Sequence, residues 1–348
     1  RGMAGKRKIL EELARDCFNA SPAHRDALES FRQTHPAVDD YARFRAVCEQ
    51  RHAPWSCWPE RLRDGRLEHG DYEEAVFRYH LYVQWLAEEQ LAALSAGKSQ
   101  PGPGLYLDLP VGVHPDGYDV WRERAVFTLG MCGGAPPSNF FTKGQNWGFP
   151  PLHPERIREQ GYRYYRACLR HLLQHATVLR IDHVMGLHRL FWIPPGREAH
   201  ESVYVHYRAE EFYAILTLES QRNRALIVGE DLGTVPAYVR PAMARHQIHR
   251  SYVLQFEVTG DPRQGLRPVS PDSLASLNTH DMRPFAGYCQ GMDIQDRVEL
   301  ALLDEAGARS ERENRTALLE ALISFLRAEG LLPESAGTPH ALLRACLA

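Results

Sequence analysis

No apolar run in the 348 residues approaches the ~18 needed to cross a bilayer, and the basic start, Arg1–Lys8, has no apolar core behind it. A secretory leader and a membrane helix are therefore unsupported. Basic charge is not in excess either. With 41 Lys+Arg against 44 Asp+Glu the net charge is −3, which excludes the electrostatic footprint of a nucleic-acid binder. Cysteine is sparse: seven are scattered at irregular spacing with no C-x-x-C, so zinc ribbon, redox motif and disulfide scaffold are poor readings. Reduced thiols in a cytoplasmic protein are the expectation. There is no internal repeat and no low-complexity tract. No G-x-G-x-x-G follows a strand, since Gly102-Pro103-Gly104 precedes one and lacks the third glycine.

What is present reads as a globular chain with a real core, 44% hydrophobic and 24% charged. Residues 1–100 are expected to be a helical subdomain. Ser21-Pro22 opens a helix to about His35. Asp71–Glu74 has capping-box spacing ahead of a helix to about Leu94. That helix is apolar on two sides, through Tyr72, Val76, Tyr79, Val83 and Leu86 and through Phe77, Leu81 and Trp85, so it should be sandwiched between other elements. Over 101–292 short β-type runs alternate with helical stretches. The runs are Leu105–Val113, Val178–Met185, Ala225–Gly229, Tyr252–Val258 and Leu274–Leu277, and the helices are Pro154–His175, Ala209–Arg222 and Pro236–Arg245. Such alternation predicts a parallel sheet, open or closed into a barrel. Residues 293–348 are read as helical, with Gln295–Glu305 and Arg312–Glu329 as the clear segments.

The polar residues favour the barrel, which places functional side chains at the C-terminal ends of several strands. Asp108, Asp182, Glu230 with Asp231, and His280 with Asp281 lie at or near four strand ends. A single acid there is often a helix cap, a role open to Asp231 or Thr234 ahead of Pro236. Several converging acids repel one another and need another explanation. Arg180 and Asp182 are two apart on one strand and so share a face, an arrangement that suits a charged nucleophile. Glu230 follows the apolar run Ala225–Gly229, surroundings that suit a general acid. Two carboxylates in unlike environments point to glycoside chemistry. His280 is a candidate for bonding a sugar hydroxyl, and His183 reads as structural.

Residues 131–153 form an irregular, aromatic-rich loop containing Gly134-Ala-Pro-Pro, Phe140-Phe141 and Gly144-Gln-Asn-Trp-Gly148. Aromatic faces stack on pyranose rings while amides reach the hydroxyls, so Gln145, Trp147 and Phe140 are candidate sugar contacts.

Taken in order, Leu105-Tyr-Leu-Asp-Leu-Pro-Val-Gly-Val113, Gly134-Ala-Pro-Pro137, Gly144-Gln-Asn-Trp-Gly148, Leu179-Arg-Ile-Asp-His-Val-Met-Gly186, Val228-Gly-Glu-Asp-Leu-Gly233, Val253-Leu-Gln-Phe256 and Thr279-His-Asp281 resemble the 4-α-glucanotransferases (amylomaltases, disproportionating enzymes) of glycoside hydrolase family 77, in the α-amylase clan. The resemblance implies an α/β fold, a (β/α)8 TIM-type barrel with a helical insertion. It places the nucleophile on Asp182, the acid/base on Glu230 and the third catalytic carboxylate on Asp281. Arg180 and His280 match the family's supporting arginine and histidine, and Gln145 and Trp147 its loop over the bound glucan; Asp108 and Phe140 are candidate substrate contacts on their own chemistry. It further implies α-1,4-glucans and maltooligosaccharides as substrates, with no nucleic acid, membrane, cofactor or metal. Five strands are recognisable where a closed barrel has eight, so the chain is expected to be an incomplete barrel lacking the first two strands and the last. The two working carboxyl groups should lie about 5–5.5 Å apart for a retaining double displacement. Rival readings are an α-glucan hydrolase of the same clan, a catalytically inactive glucan-binding fragment, and a metal-dependent hydrolase. The last needs strand histidines, whereas His171/His175 and His246/His249 fall in or beside helical stretches.

Overall fold

The computed structural model describes residues 2–19, 22–97, 104–137 and 143–347. The chain forms two compact units, Arg1–Leu226 and Ile227–Ala348. The first begins with helices α1 (Gly2–Asn19), α2 (Pro22–Thr34), α3 (Val38–Arg51), α4 (Glu60–Arg63) and α5 (Glu74–Ser95). Helix α5 packs against α1, α2 and α3 and buries Phe77, His80, Leu81 and Tyr82, which is the sandwiching its apolar residues imply. Polar groups tie the same helices. Arg7 of α1 grips Glu49 of α3 with two bonds of 2.9 and 2.6 Å, and His80 of α5 meets that carboxylate at 2.7 Å.

The unit continues through β1 (Leu105–Leu109), α6 (Tyr118–Arg122), β2 (Cys132–Ala135), β3 (Gln145–Asn146), α7 (Pro154–Glu159), α8 (Arg163–Leu173) and β4 (Ala176–Ile181). It then runs through β5 (Arg189–Ile193), β6 (Val203–His206) and α9 (Ala209–Asn223) to the first residue of β7 (Leu226–Gly229). Trp121 of α6 is buried against Phe44 and Trp58, and its indole N–H donates to Leu62 O at 3.0 Å, so the helical region shares a core with the segment after β1. Strands β1 and β4 pair in parallel, while β3, β2, β5 and β6 form an antiparallel sheet in that order.

The second unit contains the rest of β7, α10 (Val239–Arg245), β8 (His249–Val253), α11 (Leu254–Glu257), β9 (Ser273–Ser276), α12 (Phe285–Cys289), α13 (Met292–Glu299), α14 (Glu305–Ala328) and α15 (Pro339–Leu347). Strands β7, β8 and β9 pair in parallel. Its core gathers Tyr252, Leu254, Phe285, Tyr288, Leu322 and Leu326.

Several boundaries depart from the sequence reading. Asp71 is no cap for α5, because Arg61 binds it at 3.0 and 2.5 Å and Glu68 N at 2.8 Å, and the helix starts after Glu73. The stretch Pro154–His175 is two helices, broken where Gly161 and Tyr162 both take positive φ. The strand expected at Tyr252–Val258 is instead β8, shifted toward the N-terminus, and Leu254–Glu257 is helical. The helix expected at Gln295–Glu305 ends at Glu299. Asp304 then caps α14, its side chain accepting from Gly307 N at 2.7 Å, which competes with any continuation through Glu305.

Candidate active site

Strand pairing assembles the first part of the site. The parallel register sets Asp108 opposite Arg180, and Asp182 lies two residues beyond Arg180, so all three side chains share one face. The Arg180 guanidinium donates to both oxygens of Asp108 at 2.8 and 2.9 Å and to Oδ1 of Asp182 at 2.7 Å. Its side chain is 10% exposed, while that of Asp182 is 27% exposed. Asp182 N donates to Leu109 O at 3.0 Å, extending the ladder one step past β4. A nearly buried cation thus fixes one oxygen of a solvent-reachable carboxylate at the C-terminal end of a strand. Charge-assisted bonds of this kind combine strength with orientation.

His183 then turns the chain sharply, with φ 46° and ψ 61°. Burial pushes its imidazole down to about 4, with the neighbouring Asp182 carboxylate acting in the opposite direction. Trp147 meets the His183 ring edge-on at 5.1 Å and stacks on Phe149 at 6.1 Å. Two backbone bonds of 2.9 Å, Trp147 N to Gly133 O and Gly133 N to Phe149 O, hold this segment to β2. The close approach requires glycine: a Cβ on Gly133 would lie 2.4 Å from the Phe149 ring. An aromatic platform is therefore fixed beside the residue that follows Asp182. A small cavity of about 80 Å³ adjoins Asp182 and His183 and is otherwise lined by apolar residues such as Leu109, Val111, Ile181 and Leu187. Gln145 lies in β3 opposite Ala135, half-buried. Phe140 lies outside the described residues.

In the second unit Glu230 follows β7 directly, is buried, and accepts from Leu232 N at 2.7 Å. Asp231 is 1% exposed. It caps no helix: Arg240 Nε and Arg250 Nε each donate to its Oδ2 at 2.8 Å, and Ser251 N donates to Oδ1 at 3.1 Å. Thr234 caps none either, because α10 begins after Tyr238 with no side-chain cap. The sequence carries no local signal for this clamp, since its arginines lie nine and nineteen residues away. His280 and Asp281 occupy an exposed turn beyond β9, 3.4 Å apart, with side chains 63% and 74% exposed. The structure therefore groups Asp108, Arg180 and Asp182, with Trp147 against His183, in one unit. In the other it places Glu230, and separately the His280–Asp281 turn. Among the described residues no cluster of three or more His, Cys, Asp or Glu is arranged to hold a metal ion.

Comparison with known proteins identifies the family. The family profile described as 4-alpha-glucanotransferase matches residues 1–345. The 4-alpha-glucanotransferase of Mycobacterium tuberculosis is 38% identical over 326 residues, covering 88% of this chain and 45% of that protein. The Haemophilus influenzae 4-alpha-glucanotransferase is 36% identical over 258 residues, covering 74% and 37%. The crystal structure of Corynebacterium glutamicum amylomaltase superposes with a TM-score of 0.74 at 31% identity, covering 91% of this chain and 44% of that one. Streptococcus agalactiae amylomaltase, solved with acarbose, gives a TM-score of 0.78 at 19% identity over 98% and 66%, a likeness of fold. The chain spans less than half the length of these two curated relatives. The α/β barrel class with a helical insertion, expected from the sequence, holds. On the profile match and the mycobacterial identity together, this chain belongs to the 4-alpha-glucanotransferase family, glycoside hydrolase family 77.

Proposed function

We propose that the protein is a 4-α-glucanotransferase, moving a segment of an α-1,4-glucan or maltooligosaccharide onto the 4-hydroxyl of an acceptor glucose or glucan with retention. The observation that carries this reading is the Asp108–Arg180–Asp182 array, in a chain of this family. In the proposed reaction Asp182 attacks the anomeric carbon while Glu230 protonates the departing glycosidic oxygen, giving a glycosyl ester on Asp182. Glu230 then takes the proton of the incoming 4-hydroxyl, whose oxygen displaces Asp182 and restores the enzyme. Asp281 and His280, exposed at their turn, bind sugar hydroxyls. Trp147 offers a ring face to a pyranose, Gln145 its amide, and Asp108 holds Arg180 at the nucleophile. A cytoplasmic location is supported by seven cysteines carried as free thiols.

Incubating the full-length protein with maltotriose tests the proposal. Glucose together with oligomers longer than the donor is the expected product pattern. Shortening alone points to a hydrolase, and binding without turnover to an inactive glucan-binding protein. Asp182→Asn should lower turnover by roughly 10³-fold or more with little change in melting temperature.

A further inference from the structure

The peptide that presents Glu230 is fastened more heavily than its position at a strand end requires. Strands β7 and β8 pair at Val228 with His249 and at Gly229 with Arg250, and their ladder ends there. Beyond that point Asp231 makes the attachment with its side chain. Oδ1 takes the Ser251 N–H at 3.1 Å, and Oδ2 takes Arg240 Nε and Arg250 Nε at 2.8 Å each. Arg240 Nη2 also donates to the Asp231 carbonyl at 3.3 Å, and the Ser251 hydroxyl to the Gly229 carbonyl at 3.2 Å. The residues on both sides of Glu230 are thus anchored to β8 and α10. The Asp231 side chain is fully enclosed, while the arginines remain 49% and 38% exposed. Two cations converging on one enclosed carboxylate form an attachment that neither arginine makes alone.

We propose that Asp231, held by Arg240 and Arg250, is the positioning residue for Glu230, fixing where its carboxyl delivers and recovers the proton. This rests on the reading of Glu230 as the acid/base. Asp231 touches no substrate. It acts through the backbone, and a displacement of about 1 Å at a proton-transferring group can lower the rate by roughly 10²-fold.

Two donors separate positioning from general structural damage. Cleavage of maltotriose expels the 4-oxygen of its reducing-end sugar, a poor leaving group that departs as the alcohol only when the acid protonates it. α-Maltosyl fluoride releases fluoride, which needs little proton assistance, as the ester to Asp182 forms. With the full-length protein, Asp231→Asn should lower kcat on maltotriose by about 10- to 100-fold with KM within about 3-fold. The first-turnover burst of fluoride should stay within about 3-fold of wild type. Equal losses on both donors, or no loss on maltotriose, would overturn the proposal. Arg240→Gln and Arg250→Gln each leave one cation on the carboxylate. If Asp231→Asn does not fold, the same contrast should appear in them at about 3- to 10-fold on maltotriose, and its absence there overturns the proposal too. Glu230→Gln is run alongside: a loss on maltotriose with the fluoride burst spared upholds the underlying reading. Failure of that contrast in Glu230→Gln removes the acid/base assignment itself, whatever Asp231→Asn does.

Discussion

Arg180 has to satisfy two carboxylates at once, and that sets what a change at this residue would do. Its fork reaches Asp108 with one nitrogen and Asp182 with the other, from a side chain only 10% exposed. Removing the cation leaves two solvent-reachable acids facing each other, so Arg180→Met should cost about 1–3 kcal/mol by urea unfolding. Arg180→Lys keeps the charge but loses the planar fork and should retain more stability than activity. A variant Arg180→Met as stable as wild type would refute the pairing. His183 supplies a second residue-level test, through pH. Its imidazole is held at about 4 against an ordinary 6.5, so between those values the unfolded chain binds more protons than the folded one. Stability from this residue is therefore whole above pH 6.5 and is lost as the pH falls toward 4, by at most about 3 kcal/mol. His183→Asn suits the left-handed backbone at this position and should flatten that part of the profile, measured as urea midpoints at pH 4.5, 5.5 and 7. Unchanged slopes would count against the assignment.

The elements differ in how openly the sequence announces them. Strands β1 and β7 lie within the β-type runs Leu105–Val113 and Ala225–Gly229, β4 and β9 overlap the runs Val178–Met185 and Leu274–Leu277, and their carboxylates were visible as acids inside or shortly after those runs. The antiparallel sheet escaped detection, since β2 is Cys-Gly-Gly-Ala and β3 is two residues long, with no alternation to read. Strands β5 and β6, Arg-Leu-Phe-Trp-Ile and Val-Tyr-Val-His, did carry β-type composition that could have exposed it. That sheet matters because it carries the Trp147 segment. Gly133→Ala pushes a methyl into the Phe149 ring and should cost about 1–3 kcal/mol while weakening binding of maltooligosaccharides. Calorimetry of unfolding and of ligand binding checks both, and an alanine variant indistinguishable from wild type would contradict the packing. The Asp231 clamp was illegible for another reason: only the β7–β8 register brings Arg250 to Asp231.

At the scale of the molecule, two compact units each bring carboxylates to the C-terminal ends of parallel strands, and family membership rests on the chain as a whole. The net charge is −3, and among the described residues no helix is long and apolar enough to cross a membrane. The central claim is that Asp182 carries the sugar between donor and acceptor. Glu230→Gln full-length protein mixed with α-maltosyl fluoride should form the ester and release it slowly, because the base for the second step is gone. After acid quench and digestion, mass spectrometry should find one maltosyl group on the peptide containing Asp182. A maltosyl group on any other peptide, or fluoride release with no labelled peptide, would contradict the account.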